Sequence, residues 1–532
     1  MLYRSSLCIG LVMLPAAALL GQKSTSGNLH SRPARTAASV NSALVRTVVL
    51  PLDGTDTDSA QTIITRDLSF GDRVQVVPNT QTQASAAVVK AVATPAGVTV
   101  SLLDPLTGSV RQQQDFPLPI VPARHDQAIA DSLNQEFNAR DSARRVRFVR
   151  AETVRDSIQA ELTKKPPRLR NDKAKKEYAA LVQEREAMLR DALAEIVVVN
   201  DEGQRDEQAR ASVQAAAIAR AAYIHDSTAV ARRWAIHGVS DAVEQWITGH
   251  RGIAQSRVAY VSDGEIRVVD FDGANDHAVT KSPRGAKAMS PAWRRDGREI
   301  VYSEMTDAGT QIVIVDVNTG VTHQLAATAR GLNITPIFSA DDKWVIYANG
   351  GKSRTTLVAV RPDSAGSLKY LPINHSFDAD EPILSPDGGR IAYVSSRPKT
   401  PQIYSSNLDG SDERAEAPAP PKTRVYHTSP DWSPDGRMIA YQQQNGDFQV
   451  WVVNRVDHSV RKLTTKGENE DPTWAPDARH IALTSNRGGA KAIWVMDIQS
   501  GNFRQLTAAG DARLAAWSGA ITSSPQSVAL SR

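Results

Sequence analysis

A chain of 532 residues exceeds what one hydrophobic core normally organises, so two or more domains are expected. Its 41% hydrophobic content supports packed cores, while a formal net charge of +4 is too small at this length to imply nucleic acid as a partner. The single cysteine, Cys8, excludes a disulfide scaffold and cysteine metal sites.

In chain order, residues 1–21 place Arg4 ahead of an apolar run, Leu7 to Leu20, followed by small residues. This is the pattern of a signal peptide, too short to span a bilayer comfortably, and it predicts export to the periplasm. Cys8 sits inside the apolar run rather than after it, so no lipid anchor is expected, and cleavage would leave a mature chain without a thiol. Residues 22–41 are rich in Ser, Thr and Ala without apolar periodicity and read as a flexible start. Residues 42–123 read as a small α/β domain. Strands are predicted at Val45 to Leu50, Val74 to Val77, Ala86 to Ala93, Val98 to Leu103 and Ser109 to Phe116, with a helix near Ser59 to Leu68. From 124 to 233 the chain is rich in Ala, Glu, Arg, Gln and Lys, interrupted by Pro166-Pro167, and reads as several helices. Basic residues exceed acidic ones between Arg140 and Arg190, as on a solvated helical face or one that meets anionic envelope surfaces.

The second half is periodic. A pattern of Pro, any residue, aromatic, Ser-Pro-Asp-Gly recurs with anchors at Trp293, Phe338, Leu384, Trp432, Trp474 and Trp517, spaced 45, 46, 48, 42 and 43 residues apart. A period in the forties is that of a four-stranded propeller blade. Within each repeat, runs such as Ile439 to Gln442 and Gln449 to Val453 flank turn pairs such as Asn445-Gly446, the signature of a hairpin. The repeat beginning near Arg257 has three strands and no anchor before them, so Leu514 to Ser518 is expected to supply its fourth strand and close the ring. The fold class is therefore mainly β: a six-bladed β-propeller over 251–520, preceded by a small α/β domain with a helical insertion and followed by a tail at 521–532.

Chemistry is sparse. The nucleophile elbow of propeller-linked hydrolases is missing, and His277, His323, His375, His427, His458 and His480 fall in different repeats without metal-like spacing. Asp270, Asp272 and Asp276 do not assemble a calcium loop, and the pair Asp380-Glu381 reads as solvated loop carboxylates. No enzyme activity, catalytic residue, metal or cofactor is expected. The residues just before each anchor motif, Ser290, Thr335, Glu381, Ser429 and Asp471, are expected in connecting loops that ring one mouth of the channel, where recognition usually resides.

Arg257 to Val261, Arg267 to Gly273 and Met289 to Trp293 follow one another in an order that resembles the TolB family, periplasmic propeller proteins of the Tol-Pal system. The stretch Trp234 to Gly249 is similar to that family's linking helix, placed here at 234–250, and the resemblance covers roughly Trp234 to Gly519. It implies a non-enzymatic scaffold whose channel mouth docks a peptidoglycan-associated lipoprotein in support of outer-membrane integrity and cell division. It also implies inner-membrane Tol partners, no nucleic acid, and only peripheral membrane contact. By position it favours Leu332, Asn333, Thr335, Asp380 and Glu381 as partner contacts. Residues 124 to 228 depart from the family pattern, as do Ala340, Asp342 and Leu384 within the repeats. The alternative is a secreted ligand-binding sensor or hydrolase that uses the central channel.

Overall fold

The computed structural model describes residues 44–519 except 55–56, 282–284, 326–330, 352, 365, 374–375, 398 and 418–423. The expected leader, the flexible start and the C-terminal tail beyond 520 lie outside the described residues.

The N-terminal sheet contains β1 (Val45–Val49), β2 (Asp53–Gly54), β3 (Val74–Val77), β4 (Ala87–Thr94), β5 (Gly97–Leu103) and β6 (Val110–Pro117), in spatial order β3-β1-β4-β5-β6 with β2 on β4. Helix α1 (Thr57–Phe70) lies between β2 and β3 in the chain, and β1 runs parallel to β3 and β4. Alternation of apolar and polar residues sets the core face: every second residue of β5 is buried, as the period of a strand requires. Ala60, Ile63, Ile64 and Leu68 of α1 pack on that face.

Two long helices follow, α2 (Asp126–Leu162) and α3 (Asp172–Thr248). Where several helices were expected there are two, and the linking helix at 234–250 is the last part of α3, continuous across that boundary. Pro166-Pro167 ends the helical pattern because proline lacks the N–H a helix interior needs. Asn171 restarts it, its side-chain oxygen accepting the Ala174 N–H at 2.8 Å, and Gly249 ends it at φ +76°. Phe137, Ala151 and Ile158 of α2 and Ala192 and Val199 of α3 are buried along the hairpin. Further on, Ile236, Val239 and Val243 of α3 enter the core of the N-terminal sheet. Among the described residues no helix is long and apolar enough to cross a membrane.

The propeller consists of six four-stranded sheets, five of them made from consecutive strands. The sixth joins Arg513–Trp517 to Arg257–Ser262, antiparallel, with Trp517 opposite Val258 and Ala516 opposite Ala259. Ser518 N–H donates to the Arg257 carbonyl at 2.8 Å, so the expected closure by the tail strand is observed. Each Ser-Pro-Asp-Gly turn is held alike. In the fourth full repeat Ser433 Oγ donates to Asp435 and accepts the Met438 N–H, while Asp435 accepts the Arg437 N–H. The position after the aspartate has positive φ: Gly297, Gly388 and Gly436 at +69° to +73°, but also Asp342 at +57° and Ala478 at +54°.

The propeller is bound to the N-terminal region through charged groups. Asp241 of α3 accepts the N–H groups of Ala254 (2.6 Å) and Gln255 (3.1 Å). Arg66 and Arg233 both pair with Asp272, His237 Nδ1 meets Asp67 at 2.7 Å, and Arg73 reaches Glu244 (3.3 Å) and Asp477 (3.2 Å). Arg504 stacks on Phe70 and Phe271, 4.6 and 4.4 Å from their ring centres.

Candidate binding site in the propeller channel

The first strand of each blade is the innermost, and in all six blades it carries a β-bulge at the same place. The register skips between Met289 and Ala292, Ile334 and Ile337, Asp380 and Ile383, Thr428 and Asp431, Glu470 and Thr473, and Arg513 and Ala516. Proline has no N–H to give the ladder, so in five blades the pair formed by proline and its predecessor drops out of register. The predecessors have φ of +50° (Ser290), +50° (Thr335), +48° (Glu381), +49° (Ser429) and +51° (Asp471), and Leu514 in the closing blade has +55°. None of the six is glycine. Backbone of this kind costs about 1–3 kcal/mol per residue and gathers at recognition and catalytic sites.

The residue opposite each bulge was missed by sequence reasoning. It is Tyr302, Tyr347, Tyr393, Tyr441, Leu483 and Tyr260 around the ring, each at most 2% exposed. The signal was present in triplets such as Val345-Ile346-Tyr347, Ile391-Ala392-Tyr393 and Ile439-Ala440-Tyr441, whose tyrosines each stand five residues after the positive-φ position of the preceding turn.

The predicted site residues therefore lie within the innermost strands and not in the loops leading to them. Proline at the edge of a motif looks like a loop signal in sequence, whereas here it marks a bulge inside a strand. The structure places Ser290, Thr335, Glu381, Ser429 and Asp471 at equivalent positions, with Asp380 one residue ahead of Glu381. They are half-buried. Leu332 begins its strand, and Asn333 is buried as a brace. Its amide donates to the Thr310 carbonyl, and its oxygen accepts from Asn349 across the blade. His427 with Gln443 and Asn469 with Ser485 repeat that cross-strand brace, so Asn333 helps hold the sheet.

Polar groups link one inner strand to the next. Glu381 accepts the backbone N–H of Ser429 in the following blade at 2.5 Å, and Ser429 Oγ donates to Asp471 at 3.3 Å. Asp471 in turn accepts from the backbone of Leu514, and Asp431 accepts the Trp474 N–H at 2.6 Å. Asp380 and Glu381 are thus not solvated loop carboxylates. Burial pushes Asp380 up to about 7, with the Asp378 charge adding to it. Burial also lifts Glu381 to about 7 against the Ser429 N–H, and Asp471 to about 6, with Glu470 adding to the rise. Two buried oxygens here, Thr335 Oγ1 and Asp380 Oδ1, have no hydrogen-bond partner among the described residues. The lining can accept N–H groups when ionised and donate when protonated.

His427 and His480 are buried and hydrogen-bonded within the fold, His277, His323 and His458 are exposed, and the aspartates around Phe271 are held in ion pairs. His427 Nδ1 lies 2.8 Å from the Ala417 carbonyl, His480 contacts Asp477 and Asp72, and His375 is outside the described residues. Asp270 pairs with Arg257, Asp272 with Arg66 and Arg233, and Asp276 with Arg267. Two buried groupings, Asp67-His237-Asp272 and Asp72-His480-Asp497, bring three potential ligands together, yet guanidinium groups of Arg66, Arg233 and Arg479 already neutralise them.

Fold and lining together define a six-bladed β-propeller with a polar, carboxylate-bearing central channel. The model of the TolB beta propeller domain matches residues 244–521, and the chain belongs to that family. The Tol-Pal system protein TolB of Francisella tularensis subsp. holarctica is 26% identical over 293 residues, 52% of this chain and 66% of that protein. The protein of the same name from Bordetella pertussis is 28% identical over 187 residues, 33% of this chain and 40% of its own length. The chain thus spans no more than about two thirds of these relatives. The crystal structure of TolB from Acinetobacter baumannii shares the fold, with a TM-score of 0.59 at 17% identity over 90% of this chain and 97% of that one.

Proposed function

We propose that this chain is a non-enzymatic periplasmic scaffold of a Tol-Pal-like envelope system, binding a peptidoglycan-associated lipoprotein at the propeller channel. In this reading it supports outer-membrane integrity and cell division, and its N-terminal domain and mature N-terminus meet inner-membrane Tol proteins. The observation that carries it is the ring of five pre-proline residues at positive φ, together with the unpartnered Oγ1 of Thr335 within that ring and Oδ1 of Asp380, the residue before Glu381. Buried polar atoms without partners are costly in isolation, and a docked chain supplying an N–H or O–H to each would remove that cost. Relatives named Tol-Pal system protein TolB support the assignment to that system. Ser290, Leu332, Glu381, Ser429 and Asp471 would complete the contact surface.

The test is retrieval of the lipoprotein from envelope extracts by the tagged chain, compared with the double variant Thr335→Arg/Asp380→Arg. Retrieval by the parent and at least tenfold less by the folded variant is the expected result. Equal retrieval by both proteins removes the channel from the interaction.

A further inference from the structure

The end of the helical hairpin carries a charge that the rest of the hairpin does not. Between 164 and 176 stand Lys164, Lys165, Arg168, Arg170, Lys173, Lys175 and Lys176 against one acid, Asp172, a net of +6. Residues 163–168 and 170–173 are exposed. Along the stem, arginines reach carboxylates: Arg140 to Glu136, Arg144 to Asp141 and Asp206, Arg147 to Glu195 and Glu202, and Arg185 to Glu161. At the tip only Lys175 has an ion-pair partner among the described residues, Asp172 at 3.0 Å. A helical face selected for solubility alone would interleave both signs throughout, as the stem does.

Reach matters as much as charge. At 1.5 Å per residue the 37 residues of α2 carry the tip about 55 Å from the hairpin base, where His225 Nδ1 lies 2.8 Å from the Pro122 carbonyl. Salt screens charges beyond about 8 Å at physiological ionic strength, so this field acts only on a surface the tip touches. Exposed Pro166 and Pro167 and half-buried Leu169 stand among the cations. That mixture suits the boundary of a bilayer, where apolar groups settle at headgroup depth and long basic side chains spread to phosphates. No aromatic residue lies between 163 and 177 to stack on a nucleobase.

We infer that the hairpin tip, residues 163–176, is a docking surface for the anionic phospholipid headgroups of a membrane. Each Lys or Arg near such a surface contributes about fivefold to partitioning. The full chain is mixed with vesicles of one-third phosphatidylglycerol in phosphatidylcholine, or of phosphatidylcholine alone, and sedimented. The variant Lys164→Ser/Lys165→Ser/Arg168→Ser/Arg170→Ser is run beside it, with circular dichroism confirming unchanged helix. The pair Arg168→Glu/Arg170→Glu substitutes for it should that variant lose helix. Anionic vesicles are expected to capture the chain, with at least tenfold less capture of the variant and a comparable loss at about 500 mM salt. Equal capture by neutral vesicles, no loss in the variant, or displacement from anionic vesicles by duplex DNA at equal phosphate would overturn the inference. The outcome is independent of lipoprotein retrieval, which tests other residues.

Discussion

The carboxylate of Glu381 accepts the backbone N–H of Ser429, one blade further round the ring, at 2.5 Å. The bond joins two positions 48 residues apart that share positive φ and a following proline. It also fixes how the channel responds to pH. Glu381 is raised from 4.5 to about 7 in the folded protein, so the native state holds a proton that the unfolded chain releases first. Its contribution is therefore most favourable below about 4.5 and declines as pH rises towards 7. Glu381→Gln keeps an acceptor oxygen without the charge. The expected result is urea midpoints equal to the parent's near pH 4 and higher than the parent's at pH 8. Glu381→Leu orphans the Ser429 N–H and costs about 1–3 kcal/mol at both.

In five of the six blades a buried tyrosine stands opposite the bulge, and Tyr441 packs in a core with Ile403, Trp432 and Val453. Tyr441→Ala is expected to lower stability by about 3–5 kcal/mol in denaturant titrations, the usual cost of emptying a buried aromatic site. Tyr441→Leu should cost clearly less, because Leu483 already occupies the equivalent position in the next blade. Equal losses for the two variants would separate the tyrosines from bulge packing.

Ala478 stands where the turn geometry asks for glycine, at φ +54°. An L-residue pays about 1–2 kcal/mol for left-handed backbone, so Ala478→Gly should raise stability by up to about 1 kcal/mol after the added freedom of the unfolded chain is counted. Gly436→Ala, the reverse change in the preceding blade, should lower it by a similar amount. Thermal unfolding of both variants checks the sign.

His480 is buried at the junction between the N-terminal region and the propeller. Burial alone would lower its pKa, but the charge and hydrogen bond of Asp477, with Asp72 assisting, raise it to about 9. Protonated imidazole then stabilises the fold fully below about 6.5, and the contribution is lost as pH climbs through 9. Replacement His480→Gln should therefore destabilise strongly at pH 6 and much less at pH 9.5, read as the difference in urea midpoint between parent and variant. A pH-independent difference would assign His480 a packing role only.

Much of this architecture is legible in the residues, for reasons that can be named. The anchors Trp293 to Trp517 recur at a blade's length because every blade solves one packing problem, and closure follows from the three-stranded repeat at Arg257. The bulges were not legible. Ser290-Pro291 and Glu381-Pro382 carry loop residues inside a strand, and only the register of Tyr302 and Tyr393 across the sheet distinguishes the two. Nor does local composition show that Asn333 is spent on Thr310 and Asn349, since that depends on pairing between distant segments. The continuity of α3 was hidden for another reason: its residues between 172 and 248 change from a hairpin stem to a domain core without any break in helix-compatible sequence.

That uninterrupted helix makes the basic loop and the seam beside Glu244 opposite ends of a single strut. Over 77 residues it measures roughly 115 Å, so a tilt of about 5° at the propeller end sweeps the far end through about 10 Å. Whatever load the distal end bears is delivered to Arg73, Asp241 and Glu244, the side chains that weld the strut to the wheel.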